Sequence, residues 1–399
     1  MAKSSALEPR SAEHRLTRLA YACMVTQGVN VGWLGPFLVE ISASMRVPID
    51  RGGLIVSAVA AGYFAALIAG GEIAHRRSAQ QMLRGAMVLV SVGLCGVGLA
   101  PRLGLMLAAA AVVGLGQGAI DIASNAIVAD LNRERLGAAL NYLHVMFGIG
   151  ALLGPVIVGF ALRDHVPYSI TFLAGAAVTA AVALMLWRAP SVDTRAAPEE
   201  IEGALAVLAH PMIWIIAAVL FLYVGAETGV GAWLFSYLRA RTAVSAAVAS
   251  WAVSLYWFGL VAGRMAGGAL AHRSGPKAMS VAAAALSAAA IAGLVAGPSA
   301  PGFAAVMIFL IGAGYGPVFP NMIAIGAAAF PAEVGRMTSV VAAGGAIGAI
   351  LVPWMMGYAL ATIGARGSMQ LALGITALMI ACLCAVRSVR ASRENRNSG

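Results

Sequence analysis

Apolar blocks of twenty or more positions alternate along the chain with short polar breaks, and this pattern governs everything else in the sequence. A helix needs about 20 apolar residues to cross the hydrocarbon of a bilayer. The blocks therefore predict twelve membrane-spanning helices, over residues 17–44, 50–75, 80–100, 103–131, 136–161, 167–188, 211–238, 246–273, 276–297, 301–330, 335–362 and 366–387. Several are longer than a crossing requires, which tilt or extension beyond the hydrocarbon absorbs. The expected fold class is an all-α membrane protein of twelve transmembrane helices in two six-helix pseudo-symmetric halves.

The division into halves rests on two features. Residues 189–210 form the one long connection that is not apolar, rich in Pro, Ala and acid, and are read as a cytoplasmic linker with a surface helix over 199–208. Rare features also recur at a fixed offset. Gly114, Gly116 and Gly118 reappear as Gly312, Gly314 and Gly316, and Gly137, Gly150 and Pro155 as Gly335, Gly348 and Pro353. Those pairs are 198 apart, and Trp33 and Leu34 match Trp233 and Leu234 at nearly the same offset, 200. Duplication explains such spacing. The chain then divides into an N-terminal arm (1–16), a first half (17–188), the linker (189–210), a second half (211–387) and a tail (388–399).

Composition agrees: 61% of residues are hydrophobic and 11% charged, far from soluble averages. Residues 1–16 are polar and basic, so no cleavable signal peptide is expected and the N-terminus is placed in the cytoplasm. With that orientation 19 of the 26 Lys and Arg fall on the cytoplasmic side, leaving Arg46, Arg51, Arg102, Arg163, Arg239, Arg241 and Arg366 for the other. That bias favours both termini inside, in a bacterial inner membrane. The net charge of +10 is thus a topology signal, since the basic residues are scattered over short loops and form no nucleic-acid-binding face. No phosphate-binding glycine loop with lysine is present, which argues against ATP hydrolysis. Cys23, Cys95, Cys382 and Cys384 lie in apolar segments without metal-ligand spacing, and no metal or cofactor is expected.

Polar side chains inside the apolar blocks carry the chemistry, because an ionisable group at that depth is costly unless it meets a cavity or a partner. Asp121 and Asn125 share one helix face, and Asn141 and His144 share a face of the next. Asp121 and His144 each sit about 15 Å in from the turn at residues 132–135, judged from the helical rise. A carboxylate and an imidazole at matching depth can hold or release a proton near neutral pH. Glu227 is the other deep acid, in the glycine-rich stretch 225–231, and is a candidate for solute binding and for proton coupling. Gln27 and Asn30 in the first span and Tyr315 and Asn321 in the tenth offer the paired donors and acceptors that hydroxyl-rich ligands need. Trp33, Trp233, Tyr256 and Trp257 add flat apolar faces. Glu40, Glu72 and Asp130 lie at span ends, where solvation makes a charge cheap.

Twelve spans in two parallel repeats resemble the major facilitator superfamily over almost the whole chain. Residues 263–275, with Gly263, Arg264, Gly267, Gly268, Leu270, Arg273 and Gly275, are similar to that superfamily's G-R-x-x-x-G-x-L-x-x-R-x-G loop motif; the first-half counterpart at 71–77 is degenerate and lacks the usual acid. Gly150, Gly154 and Pro155 match its G-x-x-x-G-P element. Gly114, Gly116, Gly118, Asp121 and Asn125, followed by Asn141, His144, Phe147, Gly148, Gly150, Ala151, Gly154 and Pro155, resemble the fucose permease group, with its glucose/mannose and sodium–glucose members. Tyr223, Gly225, Glu227 and Trp233 extend the match, whereas the first span has Gln27 and Asn30 where fucose carriers have an acid. The resemblance implies inner-gate positions at Arg264, Gly268 and Arg273.

Together these features lead to the expectation of a non-enzymatic secondary active transporter. It would move a small polar solute, a sugar first among the candidates, by alternating access coupled to protons rather than sodium, and act as a monomer. Export of a drug-like compound or metabolite is the alternative, and a non-transporting membrane sensor the remote one.

Overall fold

The structure is a computed structural model and describes residues 7–192, 194, 208–331 and 333–386. Most of the linker, including its expected surface helix, and the C-terminal tail lie outside the described residues. The described chain is helical throughout: α1 (Leu7–Ser44), α2 (Ile49–Arg76), α3 (Ala79–Leu99), α4 (Leu103–Leu131), α5 (Leu136–Arg163), α6 (Tyr168–Trp187), α7 (Pro211–Arg241), α8 (Ala246–Ser274), α9 (Pro276–Ala296), α10 (Pro301–Tyr315), α11 (Val318–Ala329) and α12 (Val334–Ala385). Among the described residues, eleven stretches are long and apolar enough to cross a membrane. The last runs through Gly364, whose φ of 79° no helix accepts, so it bends there into two crossings and the total is twelve. The tenth crossing is itself two pieces, α10 and α11, separated at Gly316–Pro317.

Local chemistry sets several ends. Ser78 accepts from the backbone N–H of Gln81 at 3.3 Å while the Gln81 side chain accepts from the Ser78 N–H at 3.4 Å, a reciprocal cap at the start of α3. Pro211, Pro276 and Pro301 open α7, α9 and α10, where a missing N–H costs nothing. Glu40 at the end of α1 accepts from the backbone N–H of Tyr168 at 2.9 Å and ties α6 to it.

Packing forms two compact units, Met1–Arg46 with Ala58–Pro198 and Val47–Ser57 with Glu199–Gly399. The opening turns of α2 thus belong to the second unit, where Ser57 donates to the carbonyl of Ile350 at 2.6 Å. In membranes helices associate through close backbone approach, and glycines allow it here. In the first unit a Cβ on Gly114 would stand 1.8 Å from the carbonyl oxygen of Val59, and one on Gly150 would stand 2.1 Å from that of Val25. These approaches lock α4 onto α2 and α5 onto α1. In the second unit Gly312 of α10 lies as close to Tyr256 of α8, at 2.1 Å. The repeated glycines seen in the sequence therefore do the same job in each unit.

Candidate functional site

The α2–α4 contact builds the first polar cluster. Gly118 lies against the backbone of Tyr63, and one turn further Asp121 accepts a hydrogen bond from the Tyr63 hydroxyl. Asn125 donates from its side chain to the backbone carbonyl of Asp121 at 2.8 Å, so both carboxylate oxygens stay free of it. His144 lies within electrostatic reach of Asp121, in keeping with their matched depth. The Asn141 and His144 side chains are exposed, although they sit within an apolar crossing, so this face of α5 is left uncovered by the rest of the described chain. Tyr63 has no counterpart among the residues singled out from the sequence. Its only sequence signal is a hydroxyl about fourteen residues into an apolar block, and pairing it with Asp121 requires the α2–α4 register.

On α1, Gln27 and Asn30 are buried at 3% and 8% exposure. The Gln27 side-chain carbonyl and the Asn30 amide nitrogen have no hydrogen-bond partner among the described residues. Trp33 takes a packing position instead of an open face. Gly175 of α6 makes room for its indole, and Phe172 stacks edge-on at 5.8 Å.

The second unit holds a different cluster. Glu227 and Tyr223 lie one turn apart on α7, and Arg264 of α8 interacts electrostatically with both. The Tyr223 hydroxyl stands beside the Glu227 carboxylate and the Arg264 guanidinium. It is outside hydrogen-bonding geometry to either and has no partner among the described residues. Tyr256 donates to the backbone carbonyl of Glu227 at 2.9 Å, and Tyr315 shares a 2.7 Å hydrogen bond with Thr376. Tyr223 meets Tyr315 edge-on at 6.1 Å, and Tyr256 meets Trp257 at 5.4 Å. Asn321 is buried with its amide nitrogen unpartnered among the described residues. Trp233 is fully buried, its indole N–H donating to the Pro353 carbonyl at 2.7 Å.

Arg264 reaches this cluster for a reason visible in the chain. In an unbroken helix the Gly316 carbonyl would accept from the N–H of residue 320, but that residue is proline. The freed carbonyl accepts from Nε of Arg264 at 3.4 Å. Arg264 is thus held deep among α7, α8 and α10, away from the exposed Arg273 at the end of α8. Gly268 lies in α8, with its surroundings outside the described residues.

Known proteins resemble the chain in both sequence and fold. Bypass of stop codon protein 6 of Saccharomyces cerevisiae is 25% identical over 63% of this chain and 58% of its own length. Sodium-dependent glucose transporter 1A of Mus musculus is 21% identical over 59% of this chain and 64% of its own. The chain therefore matches about three fifths of the length of these curated relatives. Among solved structures, the nucleoside transporter NupG superposes with a TM-score of 0.81 at 12% identity, covering 93% of this chain and 99% of that one. The E. coli fucose:proton symporter FucP superposes at 0.63 with 18% identity, covering 93% and 98%. At these identities the likeness is one of fold. The model of the Major Facilitator Superfamily matches residues 20–243 and 234–399, so the chain, a multi-pass membrane protein, belongs to that superfamily.

Proposed function

We propose that the chain is a proton-coupled carrier of a small polar solute, with sugars the first class to test. It works by alternating access in a bacterial inner membrane, as a monomer with both termini cytoplasmic. The observation that carries this reading is Asp121 hydrogen-bonded to Tyr63 and within reach of His144, on helices that otherwise read as membrane. A phenol and an imidazole are groups that pass protons, whereas a sodium site is built from several oxygen ligands. The Gln27 side-chain carbonyl, the Asn30 and Asn321 amide nitrogens and the Tyr223 hydroxyl, unpartnered among the described residues, support a hydroxyl-bearing solute. A buried polar group left unpaired costs about 1–3 kcal/mol, and a ligand hydroxyl can donate and accept at once. The fucose and glucose carriers among the relatives point to the same class.

The decisive experiment is uptake by proteoliposomes under an imposed pH gradient, and separately under a sodium gradient, over a panel of hexoses and then nucleosides. The expected outcome is accumulation of one panel member with the pH gradient alone. Sodium-driven accumulation, or outward pumping of apolar compounds, would replace the reading.

A further inference from the structure

We propose that the second unit carries a site for an anionic phospholipid. One acyl chain lies in an apolar groove between α8 and α10, and the phosphate sits on Arg239 and Arg241 at the mouth of that groove. The site is separate from the solute and proton groups, since none of the residues assigned to them lines it.

The groove follows from where two helices touch. A Cβ on Gly259 would stand 2.2 Å from the Phe309 carbonyl oxygen, and one on Gly263 would stand 2.0 Å from that of Ala313, so α8 and α10 meet backbone to backbone in their middle turns. Nearer their starts a cavity of about 310 Å³ lies between them. Val248, Ala252 and Leu255 wall it from α8, and Pro301, Ala304 and Ile308 from α10. Each stripe spans seven residues of one helix face, about 10 Å along the axis. The end of α7 adds Leu238 and Thr242, and the Thr242 hydroxyl is already committed to the Leu238 carbonyl at 2.7 Å. The lining is thus hydrocarbon, and apolar cavities stay dry. In a bilayer the material that fills such a space is a lipid chain. Val248 on the wall is 42% exposed, and Trp251 beside it stands near a helix start, where indoles collect at the membrane interface.

The mouth is cationic. Arg239 donates to the carbonyl of Val244, which lines the groove, and Arg241 donates to the Ser299 hydroxyl at 3.3 Å, two residues before Pro301 on the other wall. The Nε of Arg241 is buried without a hydrogen-bond partner among the described residues. Neither arginine makes an ion pair among those residues. No Asp or Glu occurs from residue 228 to residue 332, so α8, α9, α10 and their loops supply no carboxylate. Two guanidiniums without a local acid suit a phosphate and leave the ammonium of a zwitterionic headgroup unpaired.

The test is a lipid titration of the purified, delipidated full chain, read by native mass spectrometry, with dioleoyl phosphatidylglycerol and dioleoyl phosphatidylcholine in parallel. One phosphatidylglycerol should bind roughly tenfold more tightly than phosphatidylcholine, because basic side chains at the membrane surface favour net negative lipid. Arg239→Gln/Arg241→Gln should bring the two lipids to the same affinity. Ala252→Phe and Ala305→Phe each place a ring inside the groove and should remove the tight site, with thermal melting to show that the fold is kept. Glycerol 3-phosphate, a headgroup without a chain, should not displace the lipid. A further arm needs no groove-filling variant: phosphatidylglycerol brominated along its chains should quench the tryptophan fluorescence of wild type more than that of Trp251→Phe. Equal affinity of wild type for both lipids would reduce the groove to ordinary lipid contact and overturn the site. So would tight binding that survives the arginine double variant or a folded groove-filling variant, displacement by glycerol 3-phosphate, or quenching unchanged by Trp251→Phe.

Discussion

At the scale of single residues, function concentrates on groups that the bilayer penalises. Asp121 illustrates the logic, since its carboxylate is held by one phenol and approached by one imidazole. Asp121→Asn keeps size and removes titration. It should abolish accumulation driven by a pH gradient while equilibrium exchange persists, as measured with labelled solute in proteoliposomes. Tyr63→Phe removes a donor to a charged acceptor, an interaction worth about 1.5–3 kcal/mol. It should slow gradient-driven transport by roughly 10- to 100-fold and leave folding intact by thermal melting. His144→Gln keeps hydrogen bonding but cannot become cationic, so the pH optimum of transport should move while affinity at fixed pH changes little. An unchanged profile in a folded variant would remove His144 from coupling.

At the scale of elements, the helices are placed by backbone contact more than by side-chain bulk. Gly114→Val would drive a side chain into the Val59 carbonyl, where even a Cβ would stand 1.8 Å away, and α4 would have to move off α2. Overpacking of this kind costs about 1–3 kcal/mol or more. Because Tyr63 and Asp121 meet across the same contact, transport should fall further than stability, which parallel melting and uptake measurements would show. A second element-scale device ties the chain after α6 to the start of α3. The Gln80 side chain donates to the Pro190 carbonyl at 2.9 Å and accepts from the Val192 N–H at 2.9 Å, while Arg84 donates to the carbonyls of Leu186 and Ala189. Thr194 is buried against the same helix, accepting from the backbone N–H of Ala79 and of Gln80. Gln80→Ala should release this segment and raise the rate of tryptic cleavage after Arg188, with little change in overall melting.

At the scale of the whole molecule, two kinds of exposed surface need to be told apart. Val178, Leu184 and Leu378 are exposed apolar side chains on the sixth and twelfth crossings, as expected of a lipid-facing coat. Asn141 and His144 are exposed polar side chains within an apolar crossing, and such groups persist where water reaches them. Single cysteines at Asn141 should therefore react with a water-soluble thiol reagent much faster than cysteines at Val178 or Leu378. Equal rates would place the Asn141 face of α5 against lipid.

The sequence by itself marked the apolar crossings, the repeated glycines and the deep acids, because hydrophobic length and repeat spacing are properties of the linear chain. It also marked Gln27, Asn30 and Asn321 as polar groups in apolar surroundings, where the structure leaves each with an unpartnered atom among the described residues. What pairs with what lay beyond it. Tyr63 became a partner of Asp121 only when glycine contacts set the register of α2 on α4, and Arg264 found its acceptor only because Pro320 frees the Gly316 carbonyl on a neighbouring helix. Trp33 and Trp233, which the chain offers as flat apolar faces, are enclosed by Gly175 and by Gly357 with Pro353. Burial depth follows from one-dimensional hydrophobicity, but the choice of partner depends on how closely two backbones approach, and only the tertiary structure decides that.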